Sequence, residues 1–137
     1  MKVKELVDLG LPSGTLWRDT NEDGYYNWND AVEKFGENMP KLTDFAELYD
    51  YCKWEWDEDK KGMVVTGPNG NSIFLPALGW CSNPDGRRHY VGKDGSYWSA
   101  SPDGDKAYFL DLDDDDVYPG AWDLKCFCYS IRLIKRK

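Results

Sequence analysis

The stretch Val7-Asp8-Leu9-Gly10-Leu11-Pro12-Ser13-Gly14-Thr15-Leu16-Trp17 decides how the chain begins to fold. Residues 3–9 read as a short strand. Pro12-Ser13-Gly14 supplies the residue types of a tight turn, and residues 15–17 read as a second strand. The polar run 19–24 that follows is loop-like. Helical periodicity then appears: Trp28, Ala31, Val32 and Phe35 recur at i, i+3, i+4 and i+7, which places them on one face of a helix. Asn27 or Asn29 can cap its start, and Gly36 stands where a left-handed C-cap belongs. A second helix is expected after Pro40, with Thr43 as its N-cap and Asp44 and Glu47 favouring its positive end. Its buried stripe would be Phe45, Leu48, Tyr49 and Cys52.

Downstream the pattern is one of strands and turns. Residues 63–66 and 72–75 flank Gly67-Pro68-Asn69-Gly70, whose Asn-Gly pair is a hairpin signal. Asp94-Gly95 turns into a strand over residues 96–101. Pro102-Asp103-Gly104 then turns into another over residues 107–112, with Tyr108, Leu110 and Leu112 on one face and Phe109 and Asp111 on the other. Residues 125–134 read as a closing strand with Phe127, Tyr129, Ile131 and Leu133 on one face. No repeat or linker interrupts the 137 residues, so residues 1–137 are expected to form a single α+β domain.

Composition narrows the function. Aromatics make up 15% of the chain, and such side chains suit both a small loop-rich core and a binding surface. The net charge of -8, with basic residues gathered only at Lys135, Arg136 and Lys137, argues against nucleic acid as a partner. No apolar stretch approaches a membrane span, and the first ten residues lack the apolar core of a signal peptide. Compartment and oligomeric state are left open. The cysteines Cys52, Cys81, Cys126 and Cys128 lack C-x-x-C knuckles. Reduced thiols are the expectation, with one disulfide or a metal site as the alternatives; Cys126 and Cys128 lie two apart on one face, a separation awkward for a bridge.

Four ordered segments carry a resemblance to the Fibrobacter-type major paralogous domains. The opening stretch resembles the start of those domains, and Gly70-Asn71-Ser72-Ile73-Phe74-Leu75-Pro76-Ala77 resembles their central strand. Gly95-Ser96-Tyr97-Trp98-Ser99-Ala100-Ser101 is similar to their G-x-Y-W-S-S segment, and Tyr129-Ser130-Ile131-Arg132-Leu133 to their closing F-S-V-R-L strand. The resemblance implies a C-type-lectin-like fold, two short helices packed on small antiparallel sheets with long loops, of the variety shared with formylglycine-generating enzymes and phage tropism determinants. It further implies that the first and last strands pair, residues 3–9 lying beside residues 129–134. Met39-Pro40-Lys41-Leu42-Thr43-Asp44-Phe45 is similar to the L-P-T-x-x-x-W helix start of the formylglycine enzymes. Their catalytic cysteine pair has no counterpart here, since Cys126 and Cys128 run into the final strand. Neither E-P-N nor Q-P-D, the calcium-lectin loops, occurs.

Two constellations remain as candidate sites. Asp19, Asn21, Asp23, Tyr25, Asn27 and Asp30, with Gly24 at the sharp turn, match a 12-residue calcium loop in which hard oxygens stand at set positions and Tyr25 offers its carbonyl. Position 12 is Asp rather than the usual Glu, and a solvated acidic turn is the competing reading. Calcium is therefore the one cofactor considered. The second constellation is Asp111 with Asp113, Asp114, Asp115 and Asp116, followed by Tyr118, Trp122 and Asp123. Adjacent carboxylates repel and call for water, cations or a basic partner, while Tyr and Trp anchor protein contacts or stack on sugars. His89, the only histidine, lies in the polar Arg87-Arg88-His89 turn, is expected at the surface, and completes no catalytic set. The expected function is thus a non-enzymatic module that binds a protein or glycan through late loops over residues 103–123. A metal-stabilised structural domain of a larger assembly is the alternative, and an enzyme of the formylglycine-generating type the third reading.

Overall fold

A computed structural model describes residues 5–82 and 86–136. Strand β1 (Leu6–Asp8) turns through Gly10 and Gly14 into β2 (Leu16–Arg18), with Val7 opposite Trp17. Helices α1 (Trp28–Phe35) and α2 (Leu42–Tyr51) follow, joined by a 3-10 turn (Gly36–Asn38). A meander of β3 (Lys53–Asp57), β4 (Gly62–Thr66) and β5 (Ser72–Pro76) comes next, then a two-stranded pair of β6 (Trp80–Cys81) and β7 (Arg88–His89). The second meander is β8 (Gly95–Asp103), β9 (Lys106–Leu112) and β10 (Val117–Leu124), and β11 (Ile134–Lys135) returns to the first sheet. The molecule is mixed α+β, two short helices among small antiparallel sheets. No described helix is long and apolar enough to cross a membrane.

Several expectations are corrected. The first sheet has the order β1-β2-β11, so β2 separates β1 from β11; residues 3 and 4 of the expected first strand lie outside the described residues. The reason is local. The short turn folds β2 onto β1, and only the other edge of β2 is left for Ile134, which also faces Trp17. Helix α2 begins before Thr43, with Lys41 as N-cap, because other acceptors serve its first amides. The Lys41 N–H donates to the Asp44 carboxylate (2.7 Å) and that of Leu42 to Ser101 Oγ (3.0 Å). Of the expected stripe, Phe45 and Leu48 are buried, Tyr49 is 43% exposed, and Cys52 lies beyond the helix. For α1 the Asn27 side chain caps the Asp30 amide as expected; Gly36 ends the helix with a positive φ of 51°, but its ψ of -122° lies outside the left-handed helical region.

Strand β3 was not foreseen, although Lys53-Trp54-Glu55-Trp56-Asp57 alternates charged and aromatic residues as a half-buried strand does. Trp54 and Trp56 pack against the core. That core has two parts, one on each face of β8 and β9. Tyr97, Leu110 and Leu112 join Trp17, Phe45, Leu48 and Leu75 on one side. Trp98, Ala107 and Phe109 join Trp28, Met39, Tyr129 and Ile131 on the other. Trp98 stacks on Tyr129 with ring centroids 4.3 Å apart, and Phe109 closes the group at 4.7 Å from Tyr129.

The closing segment is not a long strand. Residues 128–134 are buried throughout instead of alternating. Tyr129 exchanges both backbone bonds with Tyr26, Ser130 bonds to Ser96 and Trp98, and the Leu133 carbonyl accepts from Arg18 N–H. The partner changes every residue or two, so no ladder extends. Arg132, 1% exposed, ties this threaded segment down. Its guanidinium donates to Asn21 Oδ1 (2.8 Å), to the Arg18 carbonyl (3.0 Å) and to the Phe74 carbonyl. Asn21 Nδ2 in turn donates to the Tyr97 hydroxyl (3.1 Å), which donates to the Pro76 carbonyl (2.6 Å).

Arg132→Met is expected to leave those acceptors buried and unserved. The unfolding free energy in urea should fall by about 3 kcal/mol; a loss below about 1 kcal/mol would show that the guanidinium does not hold the segment.

Candidate functional site

Strand β9 delivers Asp111 to its C-terminal end, where it stands between Ser96 of β8 and Tyr118 of β10. The four residues 113–116 close the β9–β10 hairpin. Asp113 builds this loop: its Oδ1 accepts from the amides of Asp115 (2.8 Å) and Asp116 (2.7 Å), and its own amide donates to the Asp116 carbonyl (3.0 Å). Asp116 Oδ1 accepts from the Val117 amide (2.9 Å), and its carboxylate raises the pKa of the Tyr118 hydroxyl. Asp94 arrives from a separate turn in which Tyr90 adopts a φ of 60° and the Gly92 amide is bound to the Ala77 carbonyl.

These carboxylates act on one another. Burial pushes the half-buried Asp111 carboxyl up to about 6, and the charges of Asp94, Asp113 and Asp116 add to the rise. Burial also raises Asp94, helped by Asp113 and Asp114. No ion pair of the described residues reaches any of them; Lys61, on the facing wall, is paired with Glu58. Beside the cluster lies an open groove of about 460 Å³ walled by Trp56, Lys61, Lys93, Asp94, Asp113 and Asp114. Tyr118, 56% exposed, faces Asp111 across the β9–β10 pairing.

The sequence-predicted residues divide into three groups. Asp111, Asp113, Asp114, Asp116 and Tyr118 come together with Asp94, and Asp115 sits exposed at the loop tip. Asp123 is structural, its Oδ2 accepting from the Tyr129 hydroxyl (2.8 Å) and its Oδ1 from the Leu124 amide. Trp122 points the other way. Between the pairs Phe109–Ala121 and Asp111–Tyr118, β9 has one residue and β10 has two, Pro119 and Gly120, so a bulge reverses the facing of β10. Trp122 therefore shares a face with Tyr108 and Lys106, whose Nζ lies 4.2 Å from its ring centroid. Residues 103–123 are thus two strands and two tight turns rather than long loops. Asp94, Trp56 and Lys93 were not anticipated. The Asp94-Gly95 turn and the alternation around Trp56 were the signals that could have placed them.

The candidate calcium loop sends its oxygens in different directions. Asp19 Oδ1 accepts from the Glu5 amide (3.0 Å), and Asn21 is held by Arg132 and Tyr97. The Asp23 carbonyl accepts from the Tyr26 hydroxyl, Asn27 caps α1 and contacts Asp30, and the Tyr25 hydroxyl donates to the Leu78 carbonyl. Among the described residues no three His, Cys, Asp or Glu side chains are arranged so that they could hold a metal ion. His89 is not a simple surface residue. It lies half-buried in β7, stacked on Trp80 with centroids 4.5 Å apart, and Phe127 meets Trp80 edge-on. No family model, curated protein or solved structure matches the chain.

Asp111 makes stability depend on pH in a defined direction. Above about pH 6 it is ionised in both folded and unfolded chains, and the folded chain bears the unfavourable interactions. As pH falls through about 6 toward the ordinary carboxylate value, the folded chain takes up the proton first and gains stability. Asp111→Asn should stabilise the protein by about 1–2 kcal/mol at pH 7.5, the exposed half of the group being screened by solvent, and should have no effect below pH 4. An equal effect at both pH values would exclude this origin.

Asn21→Ala tests whether the acidic loop is structural or metal-binding. Loss of the contacts to Arg132 and Tyr97 should lower stability by about 2 kcal/mol, equally in calcium and in chelator. A deficit confined to calcium-containing buffer would assign Asn21 to a metal site.

Proposed function

We propose that this chain is a C-type-lectin-like binding domain that receives a basic segment of a protein partner at the acidic end of the β9–β10 hairpin. One observation carries the reading: Asp94, Asp113 and Asp114 line a groove with an aromatic wall at Trp56, and the charges of Asp94 and Asp113, with that of Asp116, bear on the half-buried Asp111 carboxyl behind it. An arriving Lys or Arg would relieve that mutual repulsion, and the rings of Trp56 and Tyr118 suit the face of a cation. The net charge of -8 would draw a basic partner in at long range. Complex formation here rests on charge and packing, with no bond-making step, and needs no cofactor.

The lectin-like assignment is supported by where the four family-like segments lie. Trp17, Leu75, Trp98 and Ile131, one from each, are all buried, and β11 returns to the sheet of β1 and β2. The diagnostic residues are therefore the ones that hold the scaffold, while the residues lining the acidic groove lie outside all four segments. Such a division suits a fold that keeps its core and varies its surface.

A glycan ligand is the second reading, favoured by the Trp122 ring, which is 55% exposed on the opposite face from Tyr118. One experiment separates the two. A fluorescent lysine-rich peptide titrated into the protein should bind with an affinity that falls steeply with salt. Asp94→Asn with Asp114→Asn should weaken it at least tenfold, while Trp122→Ala leaves it unchanged. Equal binding by the double variant would refute the acidic-groove reading. A glycan-array signal lost only in Trp122→Ala would replace it with sugar recognition.

A further inference from the structure

Two thiols outside the acidic site face each other. Cys81 closes β6, and Cys128 lies in the threaded closing segment. The Cys81 amide donates to the Cys128 carbonyl (3.0 Å), and the Cys128 amide to the Cys81 carbonyl (2.8 Å). Antiparallel residues that exchange both bonds have their Cα atoms about 5.5 Å apart, within the ~4.4–6.8 Å that a disulfide spans, while their Cβ atoms lie wider than the ~3.5–4.5 Å of a relaxed bridge, so the strands must draw together slightly as the bond forms. Directly opposed side chains also project from the same side. Both cysteines are free and fully buried, whereas Cys126 is exposed. Among the described residues no third ligand joins them to form a metal set.

We propose that Cys81 and Cys128 are a disulfide-forming pair, and that their bond would join the two ends of the segment that carries β7 to β10. That segment includes Asp94, Asp111 and the acidic loop, so the bond would brace the scaffold beneath them. The pairing itself does not depend on what the acidic groove binds. Burial raises both thiols, Cys128 to about 11 with Cys81 contributing, so reaction in the closed fold is slow and requires opening of the β6–β7 pair. Once exposed, one cysteine thiolate attacks a small-molecule disulfide such as oxidised glutathione, forming a mixed disulfide and releasing one glutathione. The second cysteine thiolate attacks the protein sulfur of that bond and expels the other glutathione. Two electrons pass from the cysteine sulfurs to the oxidant, and the two protons end on the released thiols.

The test is refolding of the full chain from denaturant in buffers of graded oxidised-to-reduced glutathione ratio, followed by alkylation and peptide mapping. The expected result is Cys81–Cys128 as the dominant protein disulfide, with Cys52 and Cys126 alkylated. The oxidised form should melt about 10 °C above the reduced one. Cys126→Ser should keep both results, and adding Cys81→Ala should remove the difference in melting. Cys81 and Cys128 both alkylated at the most oxidising ratio, or paired instead with Cys52 or Cys126, would overturn the proposal. The map of the unmodified chain decides the question even if a variant fails to fold.

Discussion

The buried guanidinium of Arg132 is the constraint around which the rest of the chain is arranged. An arginine keeps its charge in proteins, so burying one requires that its donors find acceptors. Burial pulls its pKa below the usual arginine value, opposed by Tyr97 and Asp19. The acceptors come from parts of the chain far apart in sequence: the end of β2, the polar loop at Asn21, and the carbonyl of Phe74 in β5. One side chain thereby fixes the closing segment relative to the first sheet and the first meander. Tyr97 extends the network to β8 through Asn21, so the second meander is placed by the same set of bonds. Removing one member leaves others buried without partners, which gives the arrangement its specificity.

The acidic end of the β9–β10 hairpin obeys the opposite rule. Lys93 offsets its charges only in part, and the hairpin holds them together because its turn uses Asp113 as a backbone acceptor. The Asp residues are thus partly architectural. An Asx-type turn needs a short side-chain acceptor, Asp or Asn, at its first position, and the strand register then sets Asp111 beside Tyr118. Electrostatic strain of this kind is tolerated where the core elsewhere is secure, as it is on both faces of β8 and β9.

The bulge at Pro119 and Gly120 shows how one residue redistributes a surface. Read as a loop, Tyr118 and Trp122 would form a single aromatic patch. In the strand they lie on opposite faces, because two residues of β10 oppose one of β9. Proline cannot donate to a ladder, and glycine opposes little to an irregular turn, so the pair suits the position. Local composition marks such a site only weakly, since the same residue types occur in ordinary turns.

Much of the fold was legible from one-dimensional pattern. The 3.6-residue spacing of Trp28, Ala31 and Phe35, the Asn27 and Gly36 caps of α1, and the Asn-Gly turn between β4 and β5 are written in neighbouring residues, because local sterics and capping act over a few positions. The acidic composition of residues 111–116 was equally plain. Tertiary structure alone decided the rest. It set β2 between β1 and β11, brought Trp56 beside Asp94 and Asp113, turned Trp122 away from Tyr118, and engaged Asn21 with Arg132. These outcomes depend on contacts between residues tens of positions apart. Which edge is free, which acceptor is nearest and which face is buried are settled only once the elements have packed.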